Sequence, residues 1–78
     1  MKTVHFYTRY KCSICKEAKV MLELLQEHFP FQLVEVDIDT DDQLTEKYGI
    51  RIPVVTIDGE EVSEGIIDFD EVRKRLQQ

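Results

Sequence analysis

The hydrophobic pattern changes period between Tyr7 and Ser13, and the two cysteines of the chain sit at that change. Lys2 to Tyr7 sets Val4 and Phe6 against Thr3, His5 and Tyr7, the period-two signature of a strand. From Ser13 to about His28 the spacing turns helical. Ile14, Ala18, Met21, Leu22 and Leu25 form one stripe, with Val20 and Leu24 widening it. Pro30 ends the helix, and Gln32 to Ile38 reads as a second strand. Strand, helix and strand within about 38 residues make a βαβ unit, whose two strands run parallel.

The rest of the chain adds a different connection. Thr40 and Gln43 have capping-box spacing, and a short helix should run from there to Tyr48 and stop at Gly49. Val54 to Ile57 is a β-branched strand. Asp58-Gly59 after it is the two-residue hairpin signal, so a fourth, antiparallel strand follows. Asp68, with Glu71 three residues on, starts a last helix that turns Phe69, Val72 and Leu76 inward. Arg73, Lys74 and Arg75 complement the dipole at its end. The order βαβαββα implies an α/β fold: a four-stranded mixed sheet flanked by three helices.

Size and charge narrow the function. Seventy-eight residues leave room for one domain, residues 1–78. Ten Lys plus Arg against sixteen Asp plus Glu give a net charge of −6, which excludes a nucleic-acid partner that needs a basic footprint. No apolar run approaches the length of a membrane span, and the start does not read as a signal peptide. Two cysteines are too few for a disulfide-stapled scaffold. The expectation is a soluble, cytoplasmic, monomeric domain.

The charge is uneven. Residues 1–19 carry five basic side chains (Lys2, Arg9, Lys11, Lys16, Lys19) and one acid, Glu17. Residues 35–71 carry thirteen acids and only two bases, Lys47 and Arg51. Both cysteines lie in the basic part, and nearby positive charge favours a thiolate.

Cys12-Ser13-Ile14-Cys15 places one thiol at the first turn of a helix and the other a turn further on. Orphan N–H groups and the helix dipole stabilise a thiolate at Cys12. Cys15, on the same side, can attack a mixed disulfide held on Cys12, so the pair can cycle between dithiol and disulfide. The plain alternative is two buried cysteines three apart. A zinc site would need His5 and His28 as well, one in the first strand and one at the far helix end, which a single ion cannot gather.

With those residues in hand the chain resembles the glutaredoxins of the thioredoxin superfamily. Tyr7-Thr8-Arg9, then Cys12-Ser13-Ile14-Cys15, Ala18-Lys19 and Leu22 are similar to their active-site segment. Val36-Asp37-Ile38-Asp39 resembles the end of their second strand, and Gly49-Ile50-Arg51-Ile52-Pro53 with Ile57-Asp58-Gly59 resembles the segment around their cis-proline. The resemblance implies a thioredoxin-like fold and thiol–disulfide oxidoreductase activity on protein or small-molecule disulfides. It implies Cys12 as the attacking and Cys15 as the resolving thiol, a cis Pro53 beside them, and Ile52 presenting its backbone to substrate. Arg9 matches a position where the family often has a Lys that meets a substrate carboxylate, and Tyr10 is a candidate for the rim of the groove.

The match departs at residues 63 and 64, where glutaredoxins carry a Gly-Gly pair and this chain has Ser63-Glu64. Ile66 and Ile67 stand where an Asp would follow. Those family elements hold glutathione, and Glu64 facing the pocket would repel its carboxylate. The partners expected are a disulfide-containing protein or glutathione mixed disulfide, and an electron donor that is glutathione or, by this departure, a flavin reductase or protein partner. No metal or organic cofactor is needed, glutathione serving at most as reductant. Two other classes stand beside this one. Because Ser13 replaces the usual Pro, a glutathione-assisted [2Fe–2S] module shared between two copies is one; a redox-inactive interaction domain on the same fold is the other.

Overall fold

The computed structural model describes all residues, Met1–Gln78. Strands β1 (Lys2–Thr8), β2 (Phe31–Asp37), β3 (Val54–Ile57) and β4 (Glu60–Glu64) form one sheet in the order β2-β1-β3-β4. Helices α1 (Ser13–Gln26), α2 (Asp42–Tyr48) and α3 (Phe69–Gln77) complete the βαβαββα order, with a short 3-10 turn at Ile38–Thr40 before α2. β1 and β2 pair in parallel across the α1 crossover, and β3 pairs antiparallel to both β1 and β4. The sheet is mixed, as the sequence implies.

Alternation along the strands sorts the core into two faces. Val4, Phe6, Val55 and Ile57 point to one side, where Cys15, Ala18 and Leu22 of α1 and Val72 and Leu76 of α3 cover them. Val54, with Ile38 and Tyr48, points to the other, where Tyr7, Leu44 and Ile52 pack around them. Every residue of β3 is buried, because this central strand is covered on both faces. Phe6 and Leu22 are wholly buried, each contributing about 1.5–3 kcal/mol relative to exposure.

Three local readings need correction. The buried line of α1 is Cys15, Ala18 and Leu22, whereas Ile14, Met21, Val20 and Leu24 are exposed. The apolar arc of this helix is wider than the surface that covers it. The helix also ends at Gln26 rather than near His28, since the amides of His28 and Phe29 both turn back onto the Leu25 carbonyl. Finally, Asp41 rather than Thr40 caps α2, its carboxylate accepting from the Gln43 and Leu44 amides at 2.8 and 3.4 Å. Thr40 is drawn into the preceding turn, where its hydroxyl donates to the Asp37 carbonyl.

The hairpin at Asp58-Gly59 has positive φ at both residues, 50° and 88°, the geometry that suits the right-handed twist of its strands. β4 carries one irregularity: Thr56 opposes Glu61 while Val55 opposes Ser63, so Val62 bulges out of the ladder.

Strand directions decide where the chemistry lies. Tyr7 faces Val54 and Val54 faces Glu64. The C-terminal ends of β1 and β4 and the N-terminal end of β3 therefore share one edge. The segments at that edge carry Cys12 and Cys15, Ile52-Pro53, and Gly65-Ile66-Ile67.

Candidate active site

Cys12 is the N-cap of α1. Its backbone is extended, with φ −134° and ψ 106°, and its Sγ accepts a hydrogen bond from the Cys15 amide at 3.3 Å. Its carbonyl accepts the first helical bond, from the Lys16 amide. A thiolate formed at Cys12 would thus sit at the positive end of a helix with an N–H aimed at its sulfur. Cys15 is 1% exposed, on the inward face of α1, while Cys12 is only partly buried. The two are joined as a disulfide, their Cα atoms 5.2 Å apart. One sulfur thus meets solvent and the other is sheltered, the asymmetry that an attacking and a resolving thiol require.

The Ile52-Pro53 bond is cis and Pro53 is buried. Gly65, at φ +67° where a side chain would be strained, donates its amide to both the Arg51 and Pro53 carbonyls, at 3.0 and 2.8 Å. The Ile52 amide donates to the Tyr48 carbonyl at 3.1 Å. This differs from a backbone wholly open to substrate: the donor is engaged within the fold, and only the carbonyl accepts from no other main-chain amide.

Arg51 is the residue that sequence reasoning passed over. Its guanidinium pairs with Glu61 and with Glu64, at 2.9 Å to the latter, and lies over the Tyr48 ring at 5.3 Å. The two carboxylates hold its pKa above the ordinary arginine value. Glu64 is thus directed at Arg51, so the condition under which it would repel a γ-glutamyl carboxylate is not met. The signal was the i, i+3 pair of acids, but only the bulged register of β4 brings both to one base.

Arg9 donates from Nε to both Asp39 carboxylate oxygens, at 3.0 and 3.1 Å. With Tyr10, Cys15, Lys16, Lys19 and Asp37 it lines a cleft of about 330 Å3 on the β2 side of α1. Tyr10 is 79% exposed in the loop before Cys12. A second groove, about 360 Å3, lies on the other side of α1. Ile14, Ala18 and Met21 form one wall, and Ile66, Ile67 and Phe69 form the other. In the sequence Ile66 and Ile67 stand out only as departures from the family pattern. Their place between the end of β4 and the α3 cap was the clue to a groove wall.

Tyr7 stacks on Tyr48 at 4.5 Å on the opposite face of the sheet. Burial, and secondarily Tyr48, raises its phenol above 10.0. His5 lies in β1 and His28 beyond α1, and no group of three or more His, Cys, Asp or Glu side chains comes together. A [2Fe–2S] cluster bridging two copies would need glutathione for half its thiolates. The groove along α1 carries Glu17 as its one charged side chain, whereas the cleft that includes Cys15 carries Arg9, Lys16 and Lys19.

A strand leading into a helix capped by the first cysteine of a CxxC pair, with a cis-proline at the same sheet edge, defines a thioredoxin-fold protein with a redox role. The chain belongs to the glutaredoxin-like domain family (DUF836), whose model matches residues 3–77. It is 33% identical over 80 residues to the Glutaredoxin-like protein YDR286C homolog of Dictyostelium discoideum, covering 95% of this chain and 74% of that protein. Among solved structures it is similar to protein Ne2328 of Nitrosomonas europaea, with TM-score 0.85, 28% identity, and 96% and 91% of the two chains covered. It is also similar to a mutant thioredoxin of Halobacterium salinarum NRC-1, with TM-score 0.73, 25% identity, and 97% and 72% covered. No helix is long and apolar enough to cross a membrane.

Proposed function

We propose that the chain is a thiol–disulfide oxidoreductase that reduces disulfides through Cys12 and Cys15. The Cys12 thiolate attacks one sulfur of a substrate disulfide, forming a mixed disulfide and releasing the other substrate sulfur as a thiolate. The Cys15 thiolate then attacks Cys12 Sγ, closing the Cys12–Cys15 disulfide and releasing the second substrate thiolate. Two electrons pass from the pair to the substrate, and the protons lost by Cys12 and Cys15 balance those taken up by the two product thiols. The single observation that carries this reading is the N-cap geometry: a partly exposed sulfur with the Cys15 amide on it and the partner sulfur buried behind.

The oxidised pair must be reduced again by an outside two-electron donor. The apolar lining of the groove favours a flavin reductase or a protein dithiol over glutathione. Such a carrier, working as a monomer, suits the reducing cytoplasm. Ile52 and Pro53 would support the substrate strand through the Ile52 carbonyl, and Tyr10 and Arg9 would border it. The test compares glutathione plus glutathione reductase with thioredoxin reductase plus NADPH as donors to the oxidised protein. Reduction by the flavoenzyme but not by glutathione supports the reading of the donor. Rapid reduction by glutathione would overturn it.

A further inference from the structure

Arg51 ties two carboxylates of β4 to the segment just before Ile52-Pro53. Its Nε donates to Glu64 Oε2 at 2.9 Å, its Nη2 donates to Glu64 Oε1 at 3.3 Å, and Nη2 also reaches Glu61. The two bonds to Glu64 are the parallel fork that a guanidinium offers and an ammonium cannot. The guanidinium also lies 5.3 Å from the centre of the Tyr48 ring, which in turn stacks on Tyr7. At 28% exposed, this side chain is the least exposed base in any ion pair of the fold. A lone surface pair contributes little, whereas a forked pair inside a network holds its geometry.

The bulge in β4 builds this arrangement. A regular strand would send Glu61 and Glu64, three residues apart, to opposite faces. With Val62 out of the ladder, Glu61 opposes Thr56 and Glu64 opposes Val54, so both acids share one face. No other base neutralises them: Lys47 makes no salt bridge, and Arg75 is held by Glu60 and Glu71. Without Arg51 the two carboxylates would repel each other where β4 ends.

The main chain is gripped at the same place. Arg51 gives its amide to the Tyr48 carbonyl at 2.8 Å and accepts the Gly65 amide on its own carbonyl at 3.0 Å. Gly65 directly follows Glu64, so one side chain and the next amide hold Arg51 together. Arg51 in turn precedes Ile52, whose carbonyl accepts from no main-chain amide.

We propose that Arg51 is a positioning residue for the exchange reaction: clamped by Glu61 and Glu64, it fixes the direction in which the Ile52 carbonyl meets the backbone of a peptide substrate at Cys12. This inference rests on the exchange reaction proposed above and adds a residue to it. Arg51 bonds to β4 and packs on Tyr48, so it acts through Ile52 and not on the sulfurs. A carbonyl that is already aimed has less freedom to lose when a substrate amide binds it.

The experiment follows single-turnover oxidation of pre-reduced protein by two uncharged disulfides. One is the dimer of a blocked Gly-Cys-Gly peptide, which carries backbone amides; the other is bis(hydroxyethyl) disulfide, which carries none. The readout is the ratio of the two second-order rate constants, so a general loss of fold or of thiolate cancels. Arg51→Met should lower this ratio roughly tenfold. Arg51→Lys, which keeps the charge without the fork, should fall between that variant and the parent. Glu61→Gln combined with Glu64→Gln should lower the ratio although Arg51 is intact. Arg51→Glu combined with Glu64→Arg should restore it to within about twofold of the parent.

A ratio unchanged in both Arg51→Met and the double Gln variant would overturn the inference. So would a ratio that falls in Arg51→Met alone, because the guanidinium would then meet the substrate itself. If the parent reacts and the ratio ignores every variant, exchange stands and only the role of Arg51 fails. If the parent reacts with neither disulfide, the exchange reaction fails, and the positioning role fails with it.

Discussion

The amide of Cys15 donates to the sulfur of Cys12 at 3.3 Å, so the residue that supplies the buried thiol also helps hold the open one. The two sulfurs differ in access because Cys12 caps α1 and Cys15 faces the core beside Ala18 and Leu22. In the reduced protein iodoacetamide should therefore alkylate Cys12 first, with Cys15 lagging by at least about tenfold. Peptide mapping after timed quenches reads the order; equal labelling would remove the asymmetry on which the exchange sequence depends.

Leu22 is wholly buried between the sheet and α1, so Leu22→Ala leaves a cavity. The expected cost is about 2–5 kcal/mol. Urea unfolding should show a lower midpoint at nearly constant slope.

Asp68 caps α3 by accepting from the Asp70 and Glu71 amides at 3.1 and 3.2 Å. Asp68→Ala should cost about 1 kcal/mol, which lowers Tm by roughly 4–8 °C in a chain of this size. Hydrogen exchange should speed first at those two amides, and an unchanged Tm would contradict the cap.

Burial raises the Tyr7 phenol above its ordinary value of 10.0, with the neighbouring Tyr48 adding to the shift. The unfolded chain then loses this proton at lower pH than the folded one. The stability tied to the neutral phenol is whole below 10.0 and is lost as pH rises through the folded value. Denaturant midpoints in the alkaline range should fall less steeply in Tyr7→Phe than in the parent.

The elements of the fold were legible because each has a local cause: alternation in β1, helical spacing in α1, Asp58-Gly59 at the hairpin and Asp68 at the α3 cap. The limits of that reading are physical as well. Ile14 and Met21 lie on an apolar arc wider than the sheet and α3 can cover, and only packing decides which part is buried. Thr40 and Asp41 are both sound caps, and the hydrogen bond from Thr40 to Asp37 decided between them. The direction of Glu64 depended on the bulge at Val62 and on Arg51, thirteen residues away. Of the site, the thiol pair was visible in its spacing and the cis Pro53 was implied by the family resemblance, while the groove walls at Met21 and Ile66 emerged only when α1 and the β4–α3 loop met.

The central claim is that Cys12 attacks and Cys15 resolves. The most direct measurement mixes pre-reduced protein with bis(hydroxyethyl) disulfide, quenches with an alkylating agent and weighs the products by mass spectrometry. The parent protein should pass to the intramolecular disulfide with loss of both free thiols. Cys15→Ser should stop at a mixed disulfide on Cys12, and Cys12→Ser should form neither product at a comparable rate. A mixed disulfide that accumulates on Cys15, or full turnover by Cys12→Ser, would contradict the account.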